Sequence, residues 1–322
     1  MRIRPALGGA IEGAMRSALL ALSHRRWIGR VATRLPFTRP MVARFVAGET
    51  FEAARPALER IRSAGFRTTV DLLGESVTSA AAATAAADAY IAALPALRDA
   101  GLEVNVSLKL SQMGLALGRD LARANVARIL ERAAELEGFV RIDMEDHTKT
   151  DATLDLWRSL RPAMGGRGDV GVVIQSALRR SEADVAALIA AGARVRLCKG
   201  AYKEPHQVAY PDKADVDAAY VRLMERLLVD GSFPALATHD DRIIERATAF
   251  ARAHDIAPER FEFQMLFGVR RDLQERLARD GWTVRVYVPF GGQWYPYFMR
   301  RLAERPANVL FLVRSLLRER RG

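Results

Sequence analysis

The chain has 322 residues, half of them apolar, and a formal net charge of +11. This length and composition suit a single large α/β domain with a substantial core. Cys198 is the only cysteine, which excludes an intramolecular disulfide and a metal site built from cysteines.

The N-terminal 50 residues form a predicted basic helical arm, distinct from the catalytic domain predicted over residues 51–322. Residues 1–40 hold eight arginines against a single acid, Glu12. Two interpretations stay open: an amphipathic helix that lies on an anionic membrane surface, or a helix packed outside the domain. The arm lacks interleaved aromatic residues and matches no known nucleic-acid-binding module, so we expect no nucleic-acid partner.

From residue 66 onward, short apolar runs alternate with helical stretches. The runs are short and mostly apolar, as expected for parallel strands buried on both faces. The predicted strands are Phe66–Leu73, Glu103–Leu110, Phe139–Met144, Gly171–Gln175, Arg194–Lys199, Ala235–His239, Phe261–Leu266 and Thr283–Val288. Eight strands that alternate with helices predict an α/β fold of the (β/α)8 TIM-barrel type, distorted and with extra N-terminal helices. Ser181, followed by Asp184, is predicted to cap the helix that begins there.

Polar residues end the predicted strands. They are Asp71, Lys109, Asp143 with Glu145, Gln175, Lys199, Thr238 with His239, Gln264 and Tyr287. In this fold the active site lies at the carboxyl ends of the strands, so these residues predict a functional cluster. The alternative is ordinary solvation of strand ends.

Arg196 lies in the middle of the fifth predicted strand, where alternation places it on one face with Arg194 and Cys198. If that face is the barrel interior, the buried guanidinium needs an anionic partner. The alternative has Arg196 facing the helices and paired with a carboxylate there.

The segment after the eighth strand carries Tyr297, Arg300, Arg301 and Glu304 at helical spacings. Neighbouring guanidinia repel each other unless an anion lies between them, and their planar forks suit a carboxylate. We therefore predict a last helix over the barrel mouth that binds a substrate carboxylate. The alternative is a solvated basic helix.

Several segments together resemble the proline dehydrogenase family, in its monofunctional bacterial type. They include Val106-Ser-Leu-Lys-Leu-Ser, Ile142-Asp-Met-Glu, Val195-Arg-Leu-Cys-Lys-Gly-Ala-Tyr, Phe261-Glu-Phe-Gln-Met-Leu-Phe-Gly and Tyr297-Phe-Met-Arg-Arg-Leu-Ala-Glu, in order between about residues 66 and 310. The resemblance implies FAD as cofactor, oxidation of L-proline to Δ1-pyrroline-5-carboxylate, and a quinone electron acceptor. It also implies a cytoplasmic location, which the basic N-terminus extends to peripheral contact with the inner face of the cell membrane.

The resemblance also implies roles for individual residues. Asp143 and Arg196 would act at the reacting centre, and Glu304 would support the substrate arginines. The substrate would contact Lys109, Leu266, Tyr287, Tyr297, Arg300 and Arg301. The flavin would contact Met144, Gln175, Arg196, Lys199, Gly200, Ala201, Tyr202, Thr238, His239 and Gln264. No residue is assigned to a metal.

Asp240 departs from the family pattern, in which asparagine follows Thr-His, and this puts one cofactor contact in doubt. Two alternative functions stay open. One is a related flavoenzyme that acts on hydroxyproline, against which the bulk of Tyr297 argues. The other is a flavin-free barrel that serves as a binding module.

Overall fold

A computed structural model describes residues 38–74, 76–161 and 169–304. The arm prediction for residues 1–37 lies outside the described residues. The strands are Arg67–Leu72 (β1), Asn105–Lys109 (β2), Phe139–Asp143 (β3), Asp169–Gln175 (β4), Val195–Cys198 (β5), Ala235–Ala237 (β6), Glu262–Leu266 (β7) and Val284–Phe290 (β8). The helices are Thr38–Phe45 (α1), Phe51–Ser63 (α2), Ala80–Asp99 (α3), Arg119–Glu135 (α4), Thr150–Leu160 (α5), Ser181–Ala190 (α6), Lys213–Asp230 (α7), Asp241–Ala253 (α8), Arg271–Arg279 (α9) and Trp294–Glu304 (α10).

The eight strands form a closed parallel barrel in chain order. β8 closes it by pairing with β1, where Thr69 lies opposite Tyr287. Each predicted strand coincides with an observed one, apart from small differences at the ends. The predicted TIM-type barrel is therefore confirmed, and all eight carboxyl ends lie at one mouth.

The main apolar core fills the space between the strands and the surrounding helices. Val106, Leu108, Val195 and Leu197 point outward into it and are fully buried. Short apolar strands are expected here, because the outer face of each strand packs against helices.

Among the described residues, α3 is long and apolar enough to cross a membrane by length and composition. Its side chains Ala87, Tyr90, Leu94 and Leu97 are buried in the main core. Packing against the barrel accounts for this apolar composition, so the composition alone does not indicate a membrane span.

The predicted cap at Ser181 is wrong. Ser181 is the first residue of α6, and the N-cap position belongs to Arg180, whose side chain caps nothing. The Ser181 hydroxyl instead donates to the carbonyl of Gln175 at 2.6 Å. The hydroxyl therefore fastens the helix to the end of β4, and this bond takes the place of a capping bond.

Charged side chains replace apolar residues in the lower barrel interior, where bulky aliphatic layers are usual. Arg285 is 1% exposed and pairs with Glu262, also 1% exposed, at 2.9 Å. Arg285 also donates to Glu103 and to the carbonyl of Thr68. Because a lone buried charge is costly, these pairings make the charged interior tolerable.

The end of the predicted arm packs on the last helix. Phe45 and Val46 join Trp294, Phe298 and other α10 side chains in a small apolar cluster separate from the main core. The indole nitrogen of Trp294 donates to Glu49 at 3.1 Å. Residues 42–49, which we call the α10 support, thus hold the helix that carries Arg301.

The fold predicts a clear contrast between two leucine truncations. Leu94→Ala, on the buried face of α3, is expected to lower the free energy of unfolding by about 2–5 kcal/mol, because it leaves a cavity in the core. Leu117→Ala, at a residue 44% exposed, should change it by less than about 0.5 kcal/mol. Denaturant titration measures both, and equal effects would contradict the packing of α3 described above.

Candidate active site

A cavity of about 790 Å³ opens at the carboxyl ends of the strands. This volume lies in the range of about 300–1,000 Å³ typical of small-molecule and cofactor sites. The predicted site residues on its lining are Lys109, Asp143, Met144, Arg196, Lys199, Gly200, Ala201, Thr238, His239, Gln264, Leu266, Tyr287 and Arg301. The structure thus brings residues from six strands and the last helix to one cavity.

Arg196 points into the barrel, so the alternative in which it faces the helices is wrong. Its guanidinium donates to Asp143 at 2.6 Å, to Ser107 at 2.9 Å and to Gln264 at 2.5 Å. It also lies over the ring of Tyr287, 5.2 Å from the centroid. These contacts pair the buried cation and fix its plane below the cavity.

Lys109 and its carboxylates form a second cross-strand group. The ammonium of Lys109 lies 2.9 Å from both oxygens of Asp71 and 3.7 Å from Asp143. Burial alone would lower the pKa of Lys109, but the charges of Asp71 and Asp143 raise it above its ordinary value. Lys109 therefore remains a cation at the cavity wall.

Tyr287 completes this group by donating to Asp143 at 2.8 Å. Burial, followed by the charges of Asp143 and Asp71, raises the pKa of Tyr287 well above its ordinary value. The phenol thus keeps its proton, and Asp143 accepts hydrogen bonds from Tyr287 and Arg196 at once.

Two supporting residues were not predicted from the sequence. Ser107, in the middle of β2, accepts from Arg196, and the hydroxyl of Tyr90 donates to the Ser107 carbonyl at 2.8 Å. Tyr90 also contacts Asp71 at 3.4 Å. Tyr90 comes from α3, so only the packing of that helix on β1 and β2 reveals its position.

The last helix brings one member of the arginine pair to the cavity. Arg301 lines the cavity and its guanidinium lies 5.1 Å from the centroid of the Tyr297 ring. Arg300 is exposed and is not among the lining residues. Tyr297 is buried in the α10 cluster, off the lining, and the side chain of Glu304 lies outside the described part of the chain. Arg301 thus joins the strand-end residues at the mouth, as the sequence predicts.

The opposite part of the lining carries Lys199 and Gly200. The Lys199 ammonium lies 2.7 Å from Asp240 and 2.6 Å from Asp217, so two carboxylates already balance its charge. The Lys199 hydrogen bond lowers the pKa of Asp240. The sequence offers no sign of Asp217, because it belongs to α7.

Gly200 adopts φ of +111°, a conformation that side chains rarely tolerate. A Cβ there would lie 3.1 Å from the amide oxygen of Gln175. Glycine thus lets the backbone pass close to Gln175 and Ala177 at this edge of the cavity. Gln175 itself is buried off the lining and donates to the carbonyl of Glu145 at 2.8 Å.

His239 and Tyr202 differ in their position at the mouth. Nε2 of His239 accepts from the backbone N–H of Leu266 at 3.0 Å. A neutral His239 ring therefore carries its proton on Nδ1. Tyr202 is 46% exposed and is not on the lining, although its neighbours Gly200 and Ala201 are.

Comparison with known proteins gives a consistent family match. Residues 54–314 match the family model described as proline dehydrogenase. The chain is 44% identical over 311 residues to proline dehydrogenase of Deinococcus radiodurans, covering 96% of this chain and 99% of that protein. It is 38% identical to proline dehydrogenase 2 of Bacillus subtilis, covering 94% and 96%. The crystal structure of proline utilization A from Bdellovibrio bacteriovorus, inactivated by N-propargylglycine, is similar with a TM-score of 0.77 and 27% identity, over 82% of this chain and 32% of that longer one.

The thiol of Cys198 lines the cavity but is predicted to react slowly. Burial raises its pKa to about 12, so little thiolate is present at pH 8. We expect the native protein to react with a disulfide reagent at least about tenfold more slowly than the unfolded protein, with the rate followed by absorbance. A native rate equal to the unfolded rate would show an activated thiol.

Proposed function

Because this chain belongs to the proline dehydrogenase family, we propose that it oxidises L-proline to Δ1-pyrroline-5-carboxylate with bound FAD as the hydride acceptor. The chain is an oxidoreductase that acts on proline. We propose in addition the cofactor, the product and the roles of individual residues. The observation that carries the proposal is the shared lining of one cavity by Arg301, Lys109, Asp143 and Arg196.

The cavity residues fit a flavin. The volume of about 790 Å³ is far larger than a single proline requires. The positive φ of Gly200 turns the backbone at the edge of the cavity, where backbone N–H groups can approach a ring or a phosphate. FAD, when bound, supplies the ring that accepts the hydride from the carbon beside the proline nitrogen.

We assign the binding of FAD to the lining from β3, β5, β6 and β7. Its members are Met144, Arg196, Lys199, Gly200, Ala201, Thr238, His239 and Gln264, with Gln175 and Tyr202 beside them. Asp240 and Asp217 already balance the charge of Lys199, so we do not assign the phosphates to Lys199 alone. Backbone N–H groups at Gly200 and Ala201 share that role in our proposal.

Arg301 and Lys109 bind the proline carboxylate in this proposal. A guanidinium fork suits a carboxylate in two parallel hydrogen bonds, and the Lys109 ammonium is a second fixed charge. Arg300 and Glu304 support Arg301 from the same helix. Leu266 and Tyr287 contact the substrate ring from the lining, and Tyr297 packs against the Arg301 guanidinium. Holding the carboxylate from two sides orients the reacting carbon before the chemical step.

The proline nitrogen must be unprotonated to release a hydride from the neighbouring carbon. Arg301, Lys109 and Arg196 outnumber the carboxylates Asp71 and Asp143, and this excess of positive charge disfavours a protonated amine. Asp143 is committed to Arg196 and Tyr287, which suits a positioning role better than that of a strong base.

A quinone is the electron acceptor that we propose, and peripheral contact with the cell membrane would bring the enzyme to it. The basic residues 1–40 supply a charge suited to an anionic surface. Reoxidation of the reduced protein by a soluble quinone under nitrogen, compared with reoxidation in air, measures this preference.

Anaerobic titration with L-proline tests the proposed function directly. We expect purified protein to be yellow and the flavin absorbance to bleach as proline is added, with trans-4-hydroxyproline much less effective. A colourless protein that takes up no FAD would refute the proposal, and equal bleaching by both amino acids would favour the hydroxyproline alternative.

Arg301→Met should raise the KM for proline by about 10- to 100-fold, because a charge-assisted hydrogen bond pair to the carboxylate is lost. FAD should stay bound, since the assigned cofactor contacts come from the strands and the segments that follow them, and none comes from α10. Arg279→Met, at an exposed arginine of α9, is the matched control and should leave KM unchanged. Steady-state kinetics decides, and a normal KM for Arg301→Met would remove Arg301 from the substrate site.

A further inference from the structure

We propose that Glu262, which lies one layer below the cavity, is a positioning residue that sets the orientation of Arg196 through the amide of Gln264. The inference rests on the proposed function, because it assigns Arg196 a working orientation beside the flavin. Neither the proline chemistry nor the cofactor assignment requires Glu262, which touches neither the cavity nor the mouth.

The contacts form an unbroken relay. Gln264 donates from its amide nitrogen to Glu262 at 2.5 Å, and its amide oxygen accepts from Nε of Arg196 at 2.5 Å. Glu262, Gln264 and Arg196 are 1%, 3% and 5% exposed, so water offers little alternative to these bonds. Glu262 and Gln264 share the inner face of β7 because strand residues alternate.

The chemistry of an amide gives the relay a direction. An amide has a donor end and an acceptor end, whereas a carboxylate can only accept. Glu262 therefore draws the amide nitrogen of Gln264 toward itself, which leaves the oxygen facing Arg196. Without the carboxylate of Glu262, nothing holds the amide nitrogen of Gln264 away from Arg196. A flipped amide would place its N–H groups against the Nε–H group of Arg196, so two donors would face each other.

Arg285 keeps Glu262 in the form that this argument needs. It bonds both carboxylate oxygens of Glu262, at 2.9 and 3.0 Å. Burial by itself would raise the pKa of Glu262, but the charge and hydrogen bonds of Arg285 lower it overall. Glu262 thus stays ionised inside the barrel and remains an acceptor.

The relay ends at the guanidinium of Arg196, which lines the cavity. Arg196 uses Nε for Gln264 and its two terminal nitrogens for Asp143 and Ser107. Loss of the Nε bond frees the planar group to turn about the remaining two. The positive charge would then shift relative to the flavin, and a less favourable position makes the reduced flavin less stable.

The decisive variant removes the buried pair together, as Glu262→Met with Arg285→Met. The net charge is unchanged because both members of the ion pair are removed, a replacement that proteins usually tolerate. The buried Arg141 loses the attraction of Glu262 and the repulsion of Arg285 together. A second variant, Gln264→Met, breaks the relay while it leaves the Glu262–Arg285 pair intact. Glu103→Gln is the control, because it disturbs a partner of Arg285 but not Gln264.

Each variant is loaded with FAD, and the midpoint potential of its flavin is measured by redox titration. We expect the pair variant and Gln264→Met to shift the equilibrium toward oxidised flavin by at least about tenfold, or about 30 mV for a two-electron couple. Glu103→Gln should match the unmodified protein.

The outcomes separate the two proposals. Unmodified protein that binds no FAD overturns the proposed function, and with it this inference. Protein with FAD whose potential in the pair variant equals that of the control overturns the relay alone, even if Gln264→Met, which also removes an assigned flavin contact, shifts the potential. If the pair variant does not fold, Glu262→Met alone decides, because Arg285 keeps Glu103 as a partner and Gln264, an assigned flavin contact, is unchanged.

Discussion

Pairing of charges inside the barrel is the constraint on which the rest of this structure depends. A TIM-type barrel usually fills its interior with aliphatic layers, and here Arg285, Glu262 and Arg196 occupy much of that space. A buried ion that lost its partner would cost several kcal/mol, so each of these side chains is held where its partner lies. The register of the strands thus decides which charged and polar side chains meet inside the barrel. Across the β7–β8 pair, for example, Gln264 lies opposite Arg285.

The residues at the carboxyl ends of the strands are paired in the same way. Asp71, Lys109, Asp143 and Tyr287 come from four different strands and bond to one another across the barrel. Little side-chain ordering therefore remains to be done when a substrate arrives, and preorganised charges are the ones that contribute most to catalysis. The helix α10, by contrast, packs outside the main core, in the separate cluster that includes the α10 support.

Much of the barrel could be predicted from the sequence because its signals are local. Short apolar runs fix the strands, and the carboxyl-end rule then places Lys109, Asp143 and Tyr287 at one mouth. The inward orientation of Arg196 is predicted from two things together: the alternation of residues along β5 and the free-energy cost of burying a charge without a partner. The structure confirms that Arg196 faces inward.

The remainder depends on contacts between distant segments. Tyr90 and Asp217 come from helices, where no strand rule applies, and their roles appear only when those helices pack. The phase of α10 separates Arg301 from Arg300, although the two are neighbours in sequence. Ser181 does not cap its own helix, because its hydroxyl donates to the carbonyl of Gln175, a contact that the local sequence does not reveal.

The α10 support changes where this enzyme can be shortened. The domain boundary predicted at residue 50 would leave the whole barrel in a chain that begins at residue 51. Such a chain would lose Phe45, Val46 and Glu49, and with them the surface on which α10 rests. The backbone bonds from Ala47 to Pro289 and from Gly291 to Gly48 would go too. A shortened chain that keeps the whole α10 support therefore begins no later than residue 42, within α1.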